Sequence, residues 1–378
     1  MIKQILKMVG GLAIGLAAGL AIAAVMIVLF TDTSFSEYMT KLRSVEFSES
    51  MIAAGVGLLA FCVALVILIP IHELGHLVCG LLTGYRFVSF RIFNYTFIKI
   101  NGKVKMKKFS IAGTGGQCLL DPPEVPYDKV PMAWYNAGGV LANLVVLLLI
   151  LPLLFLKLPP LWSTAIFVFF LVDVCIILIN GIPMQVGGVG NDAYNMLLLR
   201  RHPESKRGIV TQLRSNAMIQ NGVRPKDMPE EWFEVPTTVD YKNVFEVTIP
   251  LMVASRHIDE MDWEKAQSEM ETLYSHRDKI MPLYVKEIAC ELIYLLLISG
   301  DTPRASELLD KDLKKYIETY RKVMSSKERL LCAVALFIDN DRAKALEIYE
   351  NLKSHKDDYL LQGEVKSDLA LMEDMLNI

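Results

Sequence analysis

Residues 53–76 read AAGVGLLAFCVALVILIPIHELGH. Nineteen residues without a charge, Ala53 to Ile71, run straight into His72-Glu73-Leu74-Gly75-His76. An α-helix needs ~20 apolar residues to cross a bilayer core of ~30 Å, so the stretch predicts a spanning helix with ionisable groups near its inner end. Positions i and i+4 share a helix face, so His72 and His76 can offer ring nitrogens to one metal ion, with Glu73 beside them. Each ionisable group inside a membrane costs roughly 2.5–3.5 kcal/mol even on lenient insertion scales. Three within five residues need compensation, and zinc coordination supplies it. Of the six histidines, only these two lie in the apolar half of the chain. A satisfied patch of helix polar groups is therefore the weaker reading.

Three other runs, 8–30, 137–156 and 164–179, are almost free of charge. Together the four runs account for a chain of 378 residues that is 53% hydrophobic and 21% charged. Such a composition excludes a wholly soluble, fibrous or disordered protein. A net charge of −3 gives no reason to expect nucleic acid as a partner. The six cysteines are scattered without close pairs, so they read as packing residues rather than a disulfide framework. The apolar run near the N-terminus outlasts a signal-peptide core of ~7–15 residues, and Gly11, Gly15 and Gly19 repeat at the spacing that lets helices pack closely in lipid. It reads as a retained helix.

Loop charge sets the orientation. Residues 83–134 carry Arg86, Arg91, Lys99, Lys103, Lys105, Lys107, Lys108 and Lys129, whereas Lys41 and Arg43 are outnumbered by acids between the first two runs. Lysine and arginine stay on the cytoplasmic side, which predicts four spans with both termini in the cytoplasm. Within that loop, Arg86 to Ile111 is rich in Phe, Ile, Val, Tyr and Thr around Asn101-Gly102, the signature of a β-hairpin over 86–112. Toward the C-terminus, Asp262-Trp263, Asp301-Thr302 and Asp341-Arg342 each open an amphipathic helix, and Ala266, Ala305 and Ala345 follow 39 and 40 residues apart. This looks like a loose tetratricopeptide-type array, a surface for protein contacts; an irregular helical domain is the bland alternative.

The expected fold is a polytopic α-helical membrane protein of about four transmembrane helices, with a small β-hairpin insertion and a soluble helical-repeat C-terminal domain. The boundaries drawn are 1–50 for the first span and external loop, 51–200 for the core, 201–239 for a linker, and 240–378 for the cytoplasmic repeats.

The core resembles the site-2 protease family, the zinc metalloproteases that cut within or beside the membrane. Three places over roughly residues 50–200 carry the resemblance. They are His72-Glu73-Leu74-Gly75-His76; Asn136-Ala137-Gly138-Gly139-Val140-Leu141-Ala142-Asn143, similar to the family's AGPxxN stretch with Gly139 in place of proline; and Asn180-Gly181-Ile182-Pro183 followed by Asp192, similar to NxxP…DG. Asp192 lies twelve residues after Asn180 where the family commonly has eight, with Gly187, Gly188 and Gly190 in the extra length, and Ala193 stands where the family has glycine. The resemblance implies one zinc held by His72, His76 and Asp192. Asp173, alone within its span, is the alternative ligand or else a hydrogen-bond partner of a neighbouring helix.

The resemblance further implies that Glu73 takes a proton from the attacking water and returns it to the leaving amine. Asn143 would be a donor to the substrate carbonyl or, on the bland reading, a packing residue. Gly115-Gly116-Gln117 resembles the family's GG-containing strand, which suggests β-addition of an extended substrate. The expected activity is that of an intramembrane endopeptidase acting on a membrane-embedded peptide near the cytoplasmic face, with a partner on the helical repeats and no nucleic acid. A bacterial plasma membrane is the expected location. The rival is an inactive membrane scaffold that works through its repeats, against which an intact Glu73 argues.

Overall fold

The computed structural model describes Thr40 and residues 47–100, 102–108, 115–186 and 188–377. The first expected span, 8–30, and most of the loop after it lie outside the described residues. Among the described residues three helices are long and apolar enough to cross a membrane. They are α1 (Phe47–Leu82), α2 (Met132–Ile150, preceded by the short turn Tyr127–Lys129) and α3 (Pro160–Gly181). Packing divides the chain into two units, Met1–Val63 with Leu156–Phe169, and Ala64–Phe155 with Phe170–Ile378. All site residues belong to the second.

Two features of α1 place its histidines. The helix continues eleven residues beyond Ile71, with Pro70 inside it, so the HELGH segment lies within the helix rather than at its end. Its buried residues Ala64, Leu68, His72 and His76 recur every fourth position, while Leu74, Val78 and Leu82 face outward. The stripe that packs the helix is thus the one that carries both imidazoles. Glycine makes the packing possible. A Cβ on Gly75 would sit 2.1 Å from the Gly138 carbonyl oxygen, and one on Gly138 would sit 2.3 Å from that of Gly75, so α1 and α2 touch backbone to backbone.

The loop after α1 builds more than a hairpin. Four antiparallel strands, β1 (Arg86–Ile92), β2 (Tyr95–Ile100), β3 (Lys103–Lys108) and β4 (Gly116–Asp121), lie in the order β3-β2-β1-β4. Gly102, at φ +77°, turns β2 into β3 as expected from Asn-Gly. The turn between β1 and β2 uses Phe93 at φ +53°, a conformation that phenylalanine does not advertise. β4 closes the sheet against β1 and leaves its other side as an edge.

After α3 comes a two-residue-per-strand hairpin, β5 (Gln185–Val186) and β6 (Val189–Gly190), then α4 (Asp192–Arg201). The stretch expected to be a linker holds a packed helix, α5 (Lys206–Gln220). It is fastened by Arg214 donating to the Pro123 carbonyl at 2.8 Å and Gln220 donating to the Val88 carbonyl at 3.0 Å. The amphipathic half of α5 is short, and buried threonine, serine and glutamine interrupt it, which hides it from a reading by hydrophobic period.

Eight helices follow: α6 (Val244–Asp259), α7 (Trp263–Ser275), α8 (Pro282–Ile298), α9 (Thr302–Leu308), α10 (Lys311–Tyr320), α11 (Ser325–Phe337), α12 (Arg342–Ser354) and α13 (Gln362–Leu376). The three aspartate starts read from sequence are N-caps. Asp262, Asp301 and Asp341 accept from the amides of Lys265, Arg304 and Lys344. Ala266, Ala305 and Ala345 are fully buried one turn on. The core around them is apolar and centred on α8.

Candidate metal centre

The side chains of His72, His76 and Asp192 converge from two helices that are 120 residues apart in sequence at their first contact. His72 Nε2 lies 3.1 Å from Asp192 Oδ2, His76 Nε2 lies 3.3 Å from the same oxygen, and the two imidazole nitrogens are 3.2 Å apart. Both histidines are buried and Asp192 is half-buried. A second group of this kind, His202, Glu204 and Glu246, is more open to solvent and includes an exposed glutamate.

The remaining ring nitrogens explain why these three atoms face one another. His76 Nδ1 donates to the Tyr135 carbonyl at 2.8 Å, a group that can only accept. Asn143 Nδ2 donates to Asp173 Oδ1 at 2.8 Å, which turns the amide oxygen of Asn143 toward His72 Nδ1, also at 2.8 Å. Each histidine therefore carries its proton on Nδ1 and presents a lone pair at Nε2. Three acceptors thus face one point with no donor assigned between them, an arrangement that a cation satisfies. Zinc with bonds of ~2.0–2.1 Å in a tetrahedron keeps its ligand atoms ~3.3 Å apart, so the donor set and its spacing fit that ion.

The four extra residues before Asp192 fold out of the way. The β5–β6 hairpin brings Asn191 back beside Met184, whose carbonyl accepts from the Asn191 amide at 3.1 Å. Asn191 then caps α4 by accepting from the Tyr194 amide, and its own amide group donates to the Ile182 carbonyl at 2.6 Å. Asp192 is left as the first residue of α4, facing the histidines.

Asp173 makes the hydrogen bond to a neighbouring helix that was one of its two readings, and its partner is Asn143. Both are fully buried, and both ends of the Asn143 amide are engaged, so it does not point a free donor at a substrate carbonyl. Asp173 sits behind Asn143 rather than in the histidine–aspartate group, with Oδ2 unpartnered. The two form a chain that orients His72, the usual support of a ligating histidine. The register of the second motif also shifts by one. Counted back from Asn143, the motif's glycine falls on Gly139 and its proline on Val140. A Cβ at Gly139 would lie 2.5 Å from His72 Cε1 and 2.6 Å from His76 Nε2, so only glycine leaves room for both rings.

Glu73 faces a cavity of about 610 Å³ that also exposes His72, His76, Asp192, Asn180 and Gly115–Leu119. β4 runs hard against α1 there: a Cβ on Gly116 would meet Glu73 Cγ at 2.5 Å, and one on Gly115 would meet Ile69 Cδ1 at 3.1 Å. Arg91 on β1 donates to the Gly116 carbonyl at 3.1 Å. Tyr135 ties the site together, because its hydroxyl donates to the Cys118 carbonyl on β4 while its backbone carbonyl receives His76. Tyr135 and Arg91 escaped the sequence reading. Tyr135 belongs to no spacing pattern, and Arg91 reads as one more cytoplasmic charge.

The family model described as Peptidase family M50 matches residues 60–347. The chain belongs to peptidase family M50. The match takes in α1 from Ala60, the sheet, both later spans and most of the C-terminal helices. M50 proteins are zinc-dependent membrane metalloproteases, which accords with the apolar helices and the His-His-Asp group found here. Comparisons with curated proteins and with solved structures return no match.

Proposed function

We propose that this M50 protein is an active intramembrane zinc endopeptidase, hydrolysing a peptide bond in or beside a transmembrane segment near the cytoplasmic face. The observation that carries the reading is the convergence of two buried histidines on a membrane-spanning helix with the half-buried Asp192 of α4, beside Glu73 and open to one cavity. His72, His76 and Asp192 would hold the zinc, which when bound would supply Lewis acidity toward water and a peptide carbonyl.

The chain's own residues do the rest. Glu73 takes the proton from the attacking water and delivers it to the leaving nitrogen. Asn143, set by Asp173, holds His72 in its tautomer, and the Tyr135 carbonyl does the same for His76. Gly115, Gly116 and Gln117 receive the substrate as an added strand on the edge of β4. That mode has a physical motive, since a scissile bond inside a helix is shielded and must be extended before attack. Both termini face the cytoplasm, the bilayer is a bacterial plasma membrane, and the repeats of 240–378 recruit a protein partner.

The test is Glu73→Gln in detergent-purified protein, with metal content read beside cleavage of a single-span reporter. Zinc at one per chain with cleavage abolished is the expected result. Cleavage that survives the substitution overturns the assignment of Glu73. A wild type that binds zinc yet cleaves no membrane-spanning reporter favours the scaffold.

A further inference from the structure

The C-terminal helices enclose a second cavity, of about 310 Å³, between α5, α6, α8, α11 and α13. Gln212 and Asn216, one turn apart on α5, line both this cavity and the one that holds Glu73. A single helical turn therefore separates the two spaces. α5 has little freedom to shift, because a Cβ on Gly208 would lie 1.8 Å from the Phe245 carbonyl oxygen of α6.

The lining combines four methionines and other apolar side chains with the carboxyl groups of Glu287, Glu291, Glu364 and Asp368. Three of the four acids are spoken for. Glu287 pairs with Lys327 at 2.7 Å, Glu291 with Arg329 at 2.5 Å, and Asp368 with Arg329 at 2.7 Å. Counted against these two cations, the three paired carboxylates already leave the pocket one negative charge in excess, and Glu364 is a fourth acid beside them. Burial, followed by the nearby Asp368 and Glu287 carboxylates, pushes the Glu364 carboxyl up to about 8. Independently, Ser215 lines the same cavity while 3% exposed, and its hydroxyl has no hydrogen-bond partner. Arg329, also 3% exposed, leaves Nη1 without one. Buried polar groups are ordinarily satisfied, so these atoms await an occupant that can both donate and accept. Methionine-rich walls suit a flexible apolar chain.

We infer that this cavity binds a polypeptide segment carrying a lysine or arginine side chain, the basic flank of the membrane-spanning substrate whose scissile bond lies beyond Gln212 and Asn216. The inference rests on the protease reading for the word substrate. Lysine and arginine collect on the cytoplasmic flank of membrane-spanning helices. A segment leaving the first cavity on that side is therefore basic where it meets Glu364. Its backbone supplies partners for Ser215 and Arg329, its side-chain stem lies along the methionines, and its cationic head completes the charge. The second cavity would then select for orientation, since the opposite flank of a span lacks the charge.

The experiment uses the full chain carrying Glu73→Gln, in detergent with zinc, and two fluorescent peptides of ~20 apolar residues. One is flanked by Lys-Lys at both ends and the other by Gln-Gln. Fluorescence anisotropy should show the lysine-flanked peptide binding about tenfold more tightly, the worth of one charge-assisted contact. Adding Glu364→Gln should erase that preference, and changing the exposed Glu307 to Gln should not. A benzophenone beside the lysine pair should crosslink to α5 or α13, as mapped by mass spectrometry. Equal affinities, a preference that survives Glu364→Gln, or crosslinks confined elsewhere each overturn the proposal. If Glu364→Gln fails to fold, the crosslink map on the parent decides. Cleavage of both peptides by the wild-type chain with no lysine preference sinks this inference alone. A lysine preference without cleavage of either peptide sinks the protease reading alone.

Discussion

Two buried clusters of ionisable groups in this protein are built on opposite plans. In the C-terminal helices, Arg329 bridges Glu291 and Asp368 while Lys327, fully buried, pairs with Glu287. Cation answers anion, and the cluster closes largely upon itself. At the head of the cavity between α1 and α4, two imidazole lone pairs and a carboxylate oxygen face one another within 3.1–3.3 Å. The first plan pairs anion with cation; the second sets three acceptors side by side, the arrangement that a bound cation would require. Burial and charge alone would not tell them apart, whereas the direction of each proton does.

The comparison can be broken at several points. Arg329→Met should have the largest effect on the fold, because it strands the buried Asp368 carboxylate together with the partly buried Glu291, at a cost of about 3–5 kcal/mol. Chemical denaturation would read that loss, and zinc content should be unchanged. Asp192→Ala should do the reverse. Zinc affinity should fall by more than about 100-fold, or ~2.7 kcal/mol, while the metal-free chain unfolds as readily as before. An equal fall in both readouts would show that the histidine–aspartate group is only another structural cluster.

Asp173→Leu sharpens the same contrast. It removes the acceptor of the Asn143 amide group, and with it the reason for the amide oxygen to face His72. Zinc affinity should drop by about 10–100-fold, as for a partner behind a ligand. A chain that binds zinc as tightly as the parent would reduce Asp173 to packing.

A pH-dependent effect concerns Glu364, whose carboxyl is raised from an ordinary 4.5 to about 8. Asp368, Glu287 and Glu291 raise it along with burial, and Lys327 opposes them. A carboxyl raised by folding favours the native state most while protonated. Its contribution is intact below pH 4.5, declines as pH rises toward 8, and is gone above that value. Glu364→Gln should therefore melt later than the parent at pH 9 and no later at pH 4, measured by thermal denaturation without peptide. Identical melting at both would mean that the carboxyl already has a cation.

Much of this molecule is legible from the chain alone, for reasons that are local. The HELGH pair depends on a four-residue spacing within one helix. The spans depend on runs of apolar residues, and the starts of α7, α9 and α12 depend on aspartates that cap their own first turns. Asn101-Gly102 marks a turn because few residue pairs adopt that backbone so readily. The missed features have no such signature. Phe93 turns the chain with a residue that disfavours turning, β4 begins among glycines that read as an ending, and α5 hides a packed helix behind polar buried residues.

Asp192 marks the boundary between the two kinds of information. Its chemistry and its place after Asn180 were readable, and so was the surplus of four residues that put it in doubt against Asp173. Whether a glycine-rich loop returns to its starting point depends on contacts with what lies around it. The β5–β6 hairpin closes through Asn191 and Met184, and Asn143 intercepts Asp173 before it can reach the histidines. Local physics puts two imidazoles on one helix face. Which carboxylate meets them is a matter of how three distant helices close upon one another, and no spacing along the chain encodes that.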